Sequence, residues 1–137
     1  MTLKLKKSKK IALLLAMLAF MPLTQSIVLA RISGVDLDIQ NIKYEYDMET
    51  DPMVHFTIFV KNKGTEPTES VSFGFDFGNG IGMGFGGSIV IQPGETKVFT
   101  LGATYSESGK FVVEANVNTP GDMNLKNNLE TAIINIK

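Results

Sequence analysis

The sequence has no cysteine, no tryptophan and a single histidine, His55, in 137 residues. Without cysteine there is no disulfide, no thiolate metal site, no thiol nucleophile and no acceptor for a lipid-modified cysteine. A lone histidine leaves zinc binding and general acid–base chemistry short of partners. Positive charge is also missing where nucleic acid would need it. Thirteen Lys+Arg nearly balance fourteen Asp+Glu, but Lys4, Lys6, Lys7, Lys9 and Lys10 all lie in the first ten residues. From Arg31 onward eight basic residues face fourteen acidic ones, a net charge of −6. So acidic a body argues against a nucleic-acid groove. The length suits one domain.

What is present begins with an address. The lysine cluster precedes ten unbroken apolar residues from Ile11 to Phe20, then Pro22 and the polar Thr24, Gln25 and Ser26. Val28 and Ala30 set small residues at the third and first positions before Arg31. This order is that of a signal peptide over residues 1–30, cleaved after Ala30. The other reading is an uncleaved membrane anchor over residues 11–30, long enough to cross a bilayer. Either one places residues 31–137 outside the cytoplasm, because the lysines hold the N-terminus inside.

After Arg31 no window keeps a 3.6-residue apolar period for more than two turns, whereas alternation is frequent. Seven strands are expected, over residues 35–42, 53–61, 70–78, 82–92, 96–103, 110–118 and 129–137. Turn signals separate them, among them Asn62-Lys-Gly64, Pro93-Gly94 and Pro120-Gly121. In the first strand Leu37 and Ile39 share one parity and Ile42, Tyr44 and Tyr46 the other. Such a phase slip predicts a β-bulge. The pattern predicts an all-β, seven-stranded antiparallel sandwich of the immunoglobulin or fibronectin-III type. Its expected core includes Phe56, Ile58, Leu101, Phe111, Val113 and Ile134.

Four motifs in order carry a family resemblance. Phe59-Val-Lys-Asn-Lys-Gly-Thr65 resembles the V-x-N-x-G-T strand and turn of the CARDB family, cell-adhesion-related domains of bacteria and archaea. Ile91-Gln-Pro-Gly-Glu-Thr96 is similar to its L-x-P-G-E-T turn, and Gly109-Lys-Phe-Val-Val-Glu-Ala-Asn-Val117 to its G-x-Y-x-V-x-A-x-V strand. Lys126-Asn-Asn-Leu-Glu-Thr131 resembles its closing E-x-N-N-x-x-T, and Val35-Asp-Leu-Asp-Ile39 fits its first strand. The resemblance covers about residues 35–137. Residues 73–87 depart from it in being much richer in glycine. It implies an extracytoplasmic sandwich module without shared catalytic residues.

Several constellations invite a chemical reading. Gly82-Met-Gly-Phe-Gly-Gly87 has the spacing G-x-G-x-x-G, but a strand pattern follows it where a phosphate site needs a helix. It reads as a glycine-laced hairpin. Asp47, Glu49 and Asp51 alternate in an acidic turn, and Asp122 and Asn124 lie near Asn127 and Asn128. These are the candidate calcium ligands, though neither set completes a calcium-loop signature. No other metal and no cofactor is expected. His55 is expected on an outer face, without a catalytic role. Phe59, Val112 and Ile133 are outward-facing apolar residues that form a partner surface if their strands are neighbours. Asn79-Gly80 predicts a two-residue hairpin turn. That register sets Ile81, Met83 and Phe85 on the face opposite Phe73, Phe75 and Phe77 and makes one trio a partner surface.

The sequence therefore points to an exported, non-catalytic module of the cell exterior that binds a protein or glycan. A surface-filament subunit is the alternative, with residues 31–39 completing the sheet of the next copy. Neither nucleic acid nor a catalytic substrate is an expected partner, and membrane contact is expected only through a retained leader.

Overall fold

A computed structural model of the chain describes residues 33–47 and 49–137. The leader expected over residues 1–30 lies outside the described residues. Seven strands follow in order: β1 (Leu37–Asp47), β2 (Asp51–Asn62), β3 (Val71–Asp76), β4 (Gly82–Gly87), β5 (Thr96–Thr104), β6 (Gly109–Asn118) and β7 (Leu129–Ile136). A 3-10 turn, Leu125–Asn127, lies in the β6–β7 connection. Two antiparallel sheets form, β1-β2-β5 and β4-β3-β6-β7.

Alternation explains the pairing of sheets. Val54, Phe56, Ile58 and Val60 are wholly buried on one face of β2, and Phe73, Phe75, Val113, Ala115 and Val117 meet them from the other sheet. The Phe56 ring lies 5.0 Å from Phe75 and 5.7 Å from Phe77, so one aromatic cluster spans the sandwich. The register of β1 on β2 shifts between Ile39 and Asn41. That bulge lets Leu37, Ile39 and Ile42 all enter the core, as the phase slip predicts.

The family-like motifs have physical work to do at one end of the sandwich. Asn62 is wholly buried. Its amide donates to Glu66 O at 2.7 Å and Ile91 O at 2.9 Å, while its Oδ1 accepts from Gly64 N at 3.0 Å and Asp36 N at 3.4 Å. Both main-chain groups of Asn62 also pair with the Pro93-Gly94-Glu95 turn, through Glu95 O and Gly94 N. Gly64 admits no side chain, because a Cβ there would stand 2.2 Å from Gly34 O. Thr65 Oγ1 accepts from Gly34 N at 3.1 Å.

Three expectations need correction. The fourth strand ends at Gly87, and residues 88–95 run as irregular chain that still buries Ile91. Thr68 replaces the missing ladder there: its hydroxyl donates to Ile89 O and accepts from Ile91 N, both at 2.8 Å. Phe111 is half-buried, not central; it sits near the end of β6 with its ring 4.7 Å from Tyr105.

The third concerns the β3–β4 hairpin, whose turn is longer than two residues. Asp76 pairs with Gly82, Phe75 with Met83 and Phe73 with Phe85, so residues 77–81 form the connection. Asp76 Oδ1 accepts from Gly78 N at 2.7 Å, and Asn79 Oδ1 from Ile81 N at 3.1 Å. Gly78 and Gly80 both take positive φ. With parity restored, Met83 and Phe85 share the core-side face with Phe73 and Phe75, rather than the opposite one.

Candidate functional site

The flanks of the sandwich differ. Along one, β1 packs against β7, and Tyr46 Oη donates to Lys137 O at 3.4 Å. Along the other, the edge strands β4 and β5 make little contact. There the core-side face of β4 overhangs the opposite sheet. Phe73, Phe75 and Phe77 are buried, but Ile81, Met83 and Phe85 remain 57%, 47% and 40% exposed. The Phe85 ring touches the core only at its margin, 5.2 Å from Phe73 and 5.6 Å from Phe99. Beside it lies an open cleft of about 280 Å³ lined by Met53, Ile81, Met83 and Gly102.

Strand β4 carries the rest of the site in its backbone. It is an edge strand, and its glycines leave the outer face without side chains. No charged residue occurs from Phe77 to Gly94. Lysines, prolines and inward-pointing charges are the usual means of blocking strand addition at an edge. β4 has none of them.

The other apolar candidates do not join this surface, and only two of them lie together. Val112 and Ile133 are cross-strand partners on the outer face of β6 and β7. Phe59 faces outward from the opposite sheet, between Asn41 and Val98, with the Lys43 ammonium 5.1 Å from its ring centre. The patch expected of all three is therefore divided between opposite faces of the sandwich. Gly82–Gly87 lies in β4 with no helix behind it, as the hairpin reading of the glycine spacing requires.

The acidic turn is occupied with its own backbone. Asp47 accepts from Glu49 N and Thr50 Oγ1, and Asp51 from Met53 N. His55 Nε2 lies 2.7 Å from Asp51 Oδ2, and both side chains are about half exposed. The histidine's hydrogen bond, then that of Met53, holds the Asp51 carboxyl below its ordinary value. Glu49 is exposed. In the β6–β7 loop Asp122 accepts from Leu37 N and Asn128 Nδ2, and Asn127 Nδ2 donates to Asp36, whereas Asn124 contributes its backbone N–H to Asp122 Oδ1 and is exposed. Among the described residues no three His, Cys, Asp or Glu side chains converge as metal ligands do. The motif spacing singled out Asp122 but not its bond from Leu37 N, which depends on an isolated parallel bridge between Val35 and Asp122.

Fold and surface together define a small two-sheet β module with one closed and one open flank. More specifically, the fold is CARDB-like. The crystal structure of the CARDB domain of a Pyrococcus furiosus protein, described as a complex with di-metal ions, superposes with a TM-score of 0.61 at 23% identity. The match covers 76% of this chain and 90% of that one. The solution NMR structure of the same domain gives a TM-score of 0.60 at 24% identity, over 76% of this chain and 96% of that one. No protein-family model matches the chain, and no curated protein matches it significantly.

Proposed function

We propose that this chain is an exported, non-catalytic binding module of the cell exterior whose working surface is the open β4–β5 flank. The carrying observation is the exposed trio of Ile81, just ahead of β4, and Met83 and Phe85, on that uncharged, glycine-lined edge strand. An extended segment of a partner protein would add to β4 through main-chain hydrogen bonds. Its alternate side chains would rest on the trio and in the cleft beside Met53. The bare glycine face lets another backbone approach closely. Polar hydroxyl recognition, as a glycan needs, has little support from this apolar lining, so a protein is the favoured partner.

The strand order of three against four supports the immunoglobulin-like, fibronectin-III-like reading of the sandwich. The lysine-led leader supports export. A non-catalytic role draws support from His55, which spends its ring nitrogen on Asp51 at an exposed strand end. The donor-strand filament reading loses ground, because Val35, Leu37 and Ile39 are buried in their own core and β1 pairs with β2.

Panning a library of extended peptides against the purified protein tests the reading. Binders should alternate apolar residues and should lose most of their affinity for the Phe85→Lys variant. Binders that ignore Phe85→Lys and Met83→Lys alike would overturn the assignment of the surface.

A further inference from the structure

The turn between β3 and β4 holds the one Asn-Gly pair in the sequence. Asn79 Oδ1 accepts from Ile81 N at 3.1 Å, which closes a side-chain turn over the intervening Gly80 peptide. The Gly80 N–H has no hydrogen-bond partner among the described residues. Gly80 is exposed with φ of 82°, and a Cβ built on it would meet nothing within 4 Å. Asn79 also borders an open cleft of about 210 Å³ with Tyr105, Ser106, Glu107 and Phe111, so water reaches its amide.

A side-chain amide next to an unhindered backbone nitrogen can close a five-membered ring. The Gly80 nitrogen, after giving its proton to hydroxide, would attack Asn79 Cγ. One N–C bond forms, and Oδ1 takes the negative charge. That oxygen already accepts the Ile81 N–H, so the donor that shapes the turn also stabilises the oxyanion. Collapse breaks the Cγ–Nδ2 bond, and ammonia leaves with a proton taken from water, which restores the hydroxide. Little holds Nδ2 back, since its bond to Thr104 O is long at 3.4 Å. Water then opens the cyclic imide at Cγ, giving an aspartyl residue, or at the main-chain carbonyl, giving an isoaspartyl link. The sum converts amide and water to acid and ammonia, with no oxidation and no cofactor.

We propose that Asn79-Gly80 is a self-deamidating site whose slow conversion alters the β4 edge. The product carboxylate is the only charge in the stretch from Phe77 to Gly94. Charge near an edge strand opposes strand addition. The isoaspartyl form also adds a backbone carbon to the turn that sets the β3–β4 register. Other asparagines lack this combination. Asn127 and Asn128 precede Asn and Leu, and Asn62 is buried with its amide nitrogen donating twice. The effect on the edge rests on the β4 surface proposed above; the reaction does not.

Incubation of the purified native protein in mildly alkaline buffer, followed by intact mass, peptide mapping and isoaspartate assay, tests the reaction. Asn79 should convert ahead of every other asparagine. Gly80→Ala should slow the conversion severalfold, and Asn79→Gln should abolish it, because the longer side chain needs a larger ring. Should Gly80→Ala fail to fold, Asn79→Gln carries the comparison alone. An Asn79 that outlasts Asn124 or Asn127 in the native protein, or unslowed conversion in folded Gly80→Ala, would overturn the site. For the edge, converted protein should bind a selected strand peptide more weakly than fresh protein, while Asn79→Gln aged alike keeps its affinity. Equal binding by converted and fresh protein would overturn the effect on the edge and leave the reaction standing. Peptides that ignore Phe85→Lys and Met83→Lys would instead overturn the β4 surface itself.

Discussion

Asn62 shows how one side chain can organise an end of this molecule. Its four hydrogen-bonding positions serve four different backbone groups, and burial makes each of them costly to lose. Nothing about the pattern V-x-N-x-G-T discloses this locally; the partners at Asp36 and Ile91 are distant in sequence. Core residues were more legible, because alternation alone assigns Phe56, Ile58, Val113 and Ile134 to the inside. Phe111 has the same parity as Val113 but lies too near the strand end to be covered. Phe56→Ala should therefore cost about 3–5 kcal/mol in urea unfolding, and Phe111→Ala distinctly less. Equal losses would place Phe111 deeper than it lies here. Tyr105 supplies a pH prediction. Its hydroxyl donates to Phe77 O at 2.7 Å, and burial, aided by the Asp76 charge, pushes its pKa up to about 12 from 10.0. Folding favours the neutral phenol, so its contribution is complete below pH 10.0 and lost as pH rises toward about 12. Phenolate absorbance should show one late-titrating tyrosine that vanishes in Tyr105→Phe.

At the scale of elements, the strands were legible and one connection was not. Asn79-Gly80 is a strong local signal for a two-residue turn, yet the register is decided elsewhere. Asp76 turns the chain early by accepting from Gly78 N, and Gly78 packs directly on the β6 backbone. A Cβ on Gly78 would stand 2.3 Å from Val112 O, a contact between strands that the hairpin sequence alone does not contain. Gly80 also has positive φ but has nothing within 4 Å of its would-be Cβ. Gly80→Ala should thus cost only the backbone penalty of about 1–2 kcal/mol. Gly78→Ala should cost clearly more, since it adds a clash with main chain. Chemical denaturation of the two variants compares them directly, and equal losses would contradict the turn described here. The same register creates the candidate surface. It moves Met83 and Phe85 to the core side, where the opposite sheet fails to cover them.

For the whole molecule, seven strands and a closed core need no disulfide, consistent with a domain that buries about 65% of its unfolded surface. The lysine-led N-terminus is proposed above as the export leader of the acidic residues 31–137. Export with cleavage after Ala30 predicts an intact mass of secreted protein matching Arg31–Lys137; full-length chain in the membrane fraction would favour the retained anchor. The candidate surface was only half legible, because exposure of the trio depends on the gap between edge strands β4 and β5, which no strand pattern reveals. Amide hydrogen exchange of the protein, with and without a selected strand peptide, tests that surface most directly. If β4 accepts a partner strand, alternate amides within Gly82–Gly87 should exchange rapidly in the free protein and slow markedly on binding. Binding that leaves those amides unchanged and protects another edge would contradict the account.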